Sequence, residues 1–114
     1  MSRKGFVLIR DEDVLIRELL ERWLGEAGYA VHASGDEVPC LVIVDVPHPR
    51  RAQALIQSLQ AVYAAPILVL SGRFRRGLAG SAETARRFGV KRVLPKPFTR
   101  KELLAAVAAS LESG

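Results

Sequence analysis

Segments that are apolar at every position alternate in this chain with segments of helical spacing. That alternation limits its possible folds more than any other feature. Phe6 to Ile9, Leu41 to Val44 and Ile67 to Leu70 carry no polar side chain. A strand with one wet face alternates apolar and polar residues, whereas a strand covered on both faces does not. From Val14 to Ala27, Ile16, Leu19, Leu20, Trp23, Leu24 and Ala27 fall on one helical face, with Arg17, Glu18, Glu21 and Arg22 on the other. Gly28 stops that helix. Tyr29 to Ala33 reads as the second strand and Leu41 to Val44 as the third. Ala52 to Tyr63 is helical, with Leu55, Ile56, Leu59 and Val62 inward. Pro66 opens the fourth strand. Ser81 to Phe88 reads as a short helix closed by Gly89, and Arg92 to Leu94 as a brief fifth strand. Thr99 and Glu102 form a capping box that starts a last helix through Leu103, Leu104, Val107 and Leu111.

This order predicts an α/β domain with a parallel sheet. Its 114 residues suit one domain, residues 1–114, with one core. The last helix runs almost to Gly114, so no output domain is expected on the chain. No apolar run approaches the ~18 residues of a membrane span. Only four apolar residues follow Met1 to Gly5 before Arg10, so no signal peptide is read. A single cysteine, Cys40, excludes an internal disulfide. A cytoplasmic protein is therefore expected, with no membrane contact. The net charge of +5 is scattered over amphipathic helices and reads as a solvated surface, densest at Arg73, Arg75 and Arg76. A nucleic-acid surface using these with Arg86 and Arg87 is the lesser alternative, because only Phe74 offers a stacking ring. A nucleotide-binding enzyme is disfavoured, since neither G-x-G-x-x-G nor a P-loop follows a strand.

In open parallel sheets the site lies beyond the carboxyl ends of the strands. Asp11 and Glu12, Asp45, Ser71 and Lys96 stand at successive ends. Each has an ordinary reading. Asp11 to Asp13 are suited to capping a helix, Asp45 to starting a turn before Pro47 and Pro49, Ser71 to a loop and Lys96 to the surface. Their joint placement at successive strand ends favours a site.

This pattern resembles the receiver (CheY-like) domain of two-component response regulators, and the resemblance covers nearly the whole chain. It is carried by Asp11-Glu12-Asp13-Val14-Leu15-Ile16-Arg17-Glu18-Leu19-Leu20 continuing to Gly28-Tyr29-Ala30-Val31. It is carried further by Leu41-Val42-Ile43-Val44-Asp45 with Pro49, by Ile67 to Ser71-Gly72, and by Gly89 to Lys96-Pro97-Phe98. The resemblance implies a doubly wound, flavodoxin-like five-stranded parallel sheet of order 2-1-3-4-5. It implies Asp45 as phosphoacceptor, Lys96 as its cationic partner and Ser71 as switch hydroxyl. Asp11, Glu12, Asp45 and the backbone carbonyl of Pro47 would hold Mg²⁺. A histidine kinase or phosphotransfer protein would be the partner, and no enzyme activity beyond self-phosphorylation and dephosphorylation is implied. The Lys96-Pro97 bond would be cis. The family's acid pair falls on Asp11-Glu12 in the preferred register. A rival register, on Arg10-Asp11, needs an extra residue before the helix.

Several features depart from the family. Glu12 is one methylene longer than the usual aspartate, which matters to a cation that demands near-octahedral geometry. Arg10 replaces an apolar strand residue, Val93 stands where many receivers carry an aromatic, and Pro47 and His48 alter the loop after Asp45. Thirty-three positions separate Glu12 from Asp45, about ten fewer than receivers usually have. The helix between the second and third strands is therefore expected to be missing. Crossing two strand spacings while returning along a five-residue strand spans about 19 Å, and six extended residues reach about 20 Å, so Ser34 to Pro39 must run nearly straight. One sheet face then loses cover. Val42 and Val44 alternate with Leu41 and Ile43, so the third strand is apolar on both faces. The open face, made partly polar by Arg10 and His32, is expected to bind a second copy or a partner protein, most simply as a two-fold homodimer. Two functions follow: a stand-alone phosphoacceptor module, or a pseudo-receiver that dimerises or binds partners without phosphorylation.

Overall fold

A computed structural model of the chain describes residues 6–32, 38–46, 49–71, 92–95 and 98–112. Among the described residues there are four strands and three helices, in the order β1 (Phe6–Arg10), α1 (Val14–Glu26), β2 (Pro39–Asp45), α2 (Pro49–Val62), β3 (Ile67–Ser71), β4 (Arg92–Pro95) and α3 (Arg100–Glu112). The strands form one parallel sheet in the order β1-β2-β3-β4. The expected helix Ser81 to Phe88 and the Lys96-Pro97 bond lie outside the described residues, as do residues 34–37 of the short connection.

The wholly apolar runs are covered on both faces, as their composition requires. Val7, Ile9, Leu41, Ile43, Leu68 and Leu70 pack with Leu20 and Leu24 of α1 and with Leu103, Ala106 and Val107 of α3. On the opposite face Val42, Val44, Ile67, Val69 and Val93 pack with Ile56 and Leu59 of α2. Each fully buried side chain of this size contributes about 1.5–3 kcal/mol relative to exposure.

Local chemistry sets the helix ends. The Asp13 side chain caps α1. Gly28 adopts φ +99 after its last turn, a conformation that side chains with a Cβ rarely adopt. The capping box of α3 is formed as expected: Glu102 N donates to Thr99 Oγ1 at 3.0 Å, and Thr99 N donates to Glu102 Oε1 at 2.9 Å.

Residues 29–32 carry no strand assignment, but one backbone bond, from Val7 N to Ala30 O at 2.8 Å, ties them to β1. The structure corrects two expectations. Ala27 is exposed rather than inward, because α1 ends at Glu26. Val62 is 70% exposed. The inward stripe of α2 passes instead from Ile56 to Tyr63, seven residues on and so nearly two whole turns away, and Tyr63 packs against the core. Val42 and Val44 are 0% and 1% exposed, because α2 lies over them. The thinner cover is over β1, where Leu8 is half-buried and Arg10 exposed, although Val7 and Ile9 on the other face are buried. Among the described residues no helix is long and apolar enough to cross a membrane.

Candidate functional site

The three adjacent acids after β1 have three different environments. Asp13 is exposed, and its Oδ1 accepts from Leu15 N at 3.0 Å and from Ile16 N at 3.3 Å. It thereby satisfies two of the amides that a helix start leaves unpaired. Asp11 is turned the other way and is 7% exposed. Its Oδ1 accepts from Asp13 N at 2.9 Å, an Asx turn that fixes the carboxyl group at the end of the strand, and its Oδ2 is buried. Glu12, between them, is exposed. The repulsion of three neighbouring charges is reduced because the backbone points them in different directions and amide dipoles face two of them.

The ladder brings the strand ends into line. Arg10 pairs with Val44, Asp45 with Leu70, and Ser71 with Pro95. One further step in the first register puts Asp11 opposite Asp45, about 5 Å away at the backbone on normal strand spacing. Asp45 closes β2 and is half-buried. Val46 N donates to Leu70 O at 2.9 Å, which holds the chain in line just past Asp45. Ser71 is the last residue of β3, but its side chain lies outside the description. Lys96 and Pro47 also lie outside the described residues; β4 ends at Pro95, the residue before Lys96. The sheet thus brings Asp11, Asp45 and the backbone of Ser71 to one edge.

Carboxylate oxygens are the donors Mg²⁺ prefers, and the ion is commonly held by one or two carboxylates with water and phosphate oxygens completing the shell. Asp11 and Asp45 fit that role in chemistry and placement. Glu12 is exposed, and among the described residues no three His, Cys, Asp or Glu side chains are gathered as a metal set. Arg10 closes β1, as expected, and pairs with Val44, so its backbone is one residue from that of Asp45 while strand alternation puts its side chain on the face of Leu8.

No family model matches the chain. Transcriptional regulatory protein PdtaR of Mycobacterium tuberculosis is 36% identical over 116 residues, covering 89% of this chain. The chain spans 54% of PdtaR and about half or less of most curated relatives it matches. Protein PilG of Pseudomonas aeruginosa is 30% identical over 121 residues, covering 94% of this chain and 87% of PilG. The crystal structure of a response regulator receiver protein from Burkholderia phymatum superposes with a TM-score of 0.71 at 28% identity, covering 96% of each chain. Strand order, the acids at the strand ends and these similarities agree: the chain belongs to the receiver (CheY-like) domain family of two-component response regulators.

Proposed function

We propose that this chain is a receiver signalling module, one domain over residues 1–114, that accepts a phosphoryl group on Asp45. The observation that carries the reading is the placement of Asp11 beside Asp45 at the carboxyl ends of adjacent parallel strands. An Asp45 oxygen attacks phosphorus and forms the new O–P bond. The bond from phosphorus to the donor breaks, and its electron pair stays with the donor, which takes up a proton. The Lys96 ammonium and the Ser71 hydroxyl contact the transferred oxygens. Mg²⁺ held by Asp11, Glu12, Asp45 and the Pro47 carbonyl would supply charge neutralisation to the entering group. The donor in the cell is a histidine kinase or phosphotransfer protein, and the module works in the cytoplasm.

Around this site we read a five-stranded sheet of order 2-1-3-4-5. The Val7–Ala30 bond supports it, since it puts Tyr29 to Val31 on the free side of β1. In this reading Ser34 to Pro39 replaces the usual helix by an extended crossing. The thin cover over Leu8 and Arg10 then serves as the contact face of a two-fold homodimer. The exposure of Glu12 and the lack of a three-ligand set among the described residues favour a second reading, a pseudo-receiver that dimerises without phosphorylation.

Intact-mass measurement after incubation with Mg²⁺ and a small acyl-phosphate donor decides between them. One phosphoryl gain is expected for the wild type and for Asp13→Asn, and none for Asp45→Asn. No gain by the wild type with either Mg²⁺ or Mn²⁺ gives the second reading.

A further inference from the structure

We infer that the contact face of the homodimer is a trough between β1 and α2, and that α2 of a second copy fills it. The inference rests on the homodimer reading and does not depend on Asp45 being the acceptor. Leu8 and Leu55, both half-buried, pack against the core cluster under α2. Leu8 forms the floor of the trough, and the exposed Arg10 stands at its end. One flank of α2 forms the wall. Parallel neighbouring strands joined by a helix are connected in the right-handed sense. In that sense the flank of α2 facing β1 carries Leu55, Ser58 and Val62, spaced three and four residues apart. This accounts for Val62, which is 70% exposed although its neighbour Tyr63 packs against the core. Only residues 33–37 separate His32 from Val38, whereas two turns of helix need about seven residues.

Charge selects the occupant. No charged residue occurs from Ala52 to Gly72. Beside its flank, α2 exposes Gln53, Ala54, Gln57, Gln60 and Ala61, whereas α1 exposes Glu18 and Arg22, and α3 exposes Arg100 and Lys101. A foreign partner of a chain with net charge +5 gains by presenting acids. A second copy has no such option. Across a two-fold axis each residue near the axis meets its own equivalent, so a charged face repels itself. An uncharged helix meets itself without that cost. Each glutamine amide holds donors and an acceptor, so equivalent glutamines satisfy one another. The Ser58 hydroxyl donates to Leu55 O at 2.8 Å within its own helix. For each copy to fill the other's trough, the axis must run between the two helices and along them, so both helices start at the same end. α2 runs against the strands, and its first turn, which includes Arg50 and Arg51, comes to the Arg10 end of the trough. Positive charge gathers there and limits the contact.

Sedimentation equilibrium of the full chain tests this. The wild type should form a dimer whose affinity rises with salt, because screening relieves the repulsion between two copies of charge +5. Val62→Glu should weaken the dimer about tenfold or more, since two carboxylates then meet across the axis. Leu15→Glu makes the same change in net charge at a residue 77% exposed on α1, which packs on the other face of the sheet, and should leave the affinity unchanged. Arg10→Glu should tighten the dimer about three- to tenfold at low salt, because it puts a carboxylate at the positive end of the other copy's helix. Thermal melts of the dilute variants, all substituted at exposed positions, should match the wild type and separate a lost contact from a lost fold. A dimer that weakens with salt, that is unaffected by Val62→Glu or that is weakened by Arg10→Glu overturns this inference and leaves the homodimer reading standing. A wild type that stays monomeric at millimolar concentration removes both.

Discussion

Replacing Asp13 by alanine tests the division of labour among the three acids. The substitution removes the oxygen that accepts from Leu15 N and Ile16 N. Both amides are at an exposed helix start, where water replaces the lost acceptor in part. The loss is therefore that of an ordinary N-cap, about 1 kcal/mol. It includes the interaction of one carboxylate with the helix dipole, about 0.3–1 kcal/mol. Asp13→Asn keeps the acceptor and loses only the charge, so it should cost about 0.5 kcal/mol. Glu12→Ala touches no cap and should stay within about 0.5 kcal/mol of wild type. For a domain of this size 1 kcal/mol corresponds to about 4 °C in Tm. Thermal unfolding followed by circular dichroism, with urea denaturation for the free energies, resolves these steps. The urea slope should be the same in all four proteins, since none alters the buried surface. A Glu12→Ala variant as destabilised as Asp13→Ala would refute the assignment of the cap.

Three further outcomes follow from the packing. Gly28→Ala should cost about 1–2 kcal/mol in urea unfolding, because φ is +99 there; no atom within 4 Å crowds an added Cβ, so the cost is in the backbone alone. Ile56→Ala should lose about 2–5 kcal/mol, since Ile56 is fully buried between α2 and the sheet, whereas the 70% exposed Val62→Ala should change stability by less than about 0.5 kcal/mol. Breaking the Arg100–Glu26 pair, whose side chains are 49% and 51% exposed, should cost at most about 1 kcal/mol and less at high salt, as a double-mutant cycle at two ionic strengths would show.

The parts of the fold most legible in the sequence were those written in apolar patterning and local hydrogen bonding. The all-apolar strands, the capping box at Thr99 and the stop at Gly28 each depend on neighbours a few residues away. What was misread depends on where one element lies over another. Ala27 fits the apolar stripe of α1 by spacing, and only the end of that helix at Glu26 leaves it exposed. Val62 and Tyr63 both fit the end of an apolar stripe, and only the phase of the helix against the sheet separates them. At the site, the composition of the strand ends was readable. Its geometry was not: nothing in Asp11-Glu12-Asp13 says which carboxylate turns inward, because that follows from the turn made by Asp11 with the amide of Asp13. The neighbourhood of Arg10 and Asp45 is likewise a property of the register between two distant segments.

The burial of β2 on both faces has a consequence for timing. Leu41 to Val44 are at most 1% exposed, with hydrogen-bonded strands on either side. Amides in such a strand are reached by solvent only when the whole domain opens, so they should be among the slowest to exchange with deuterium. Asp45 is attached to the end of this strand, while Asp11 and Asp13 sit on the turn at the start of α1. In the proposed reading the acceptor is thus anchored to the part of the molecule slowest to open, and a rearrangement that followed phosphorylation would fall to the segments around it, on timescales far shorter than global opening.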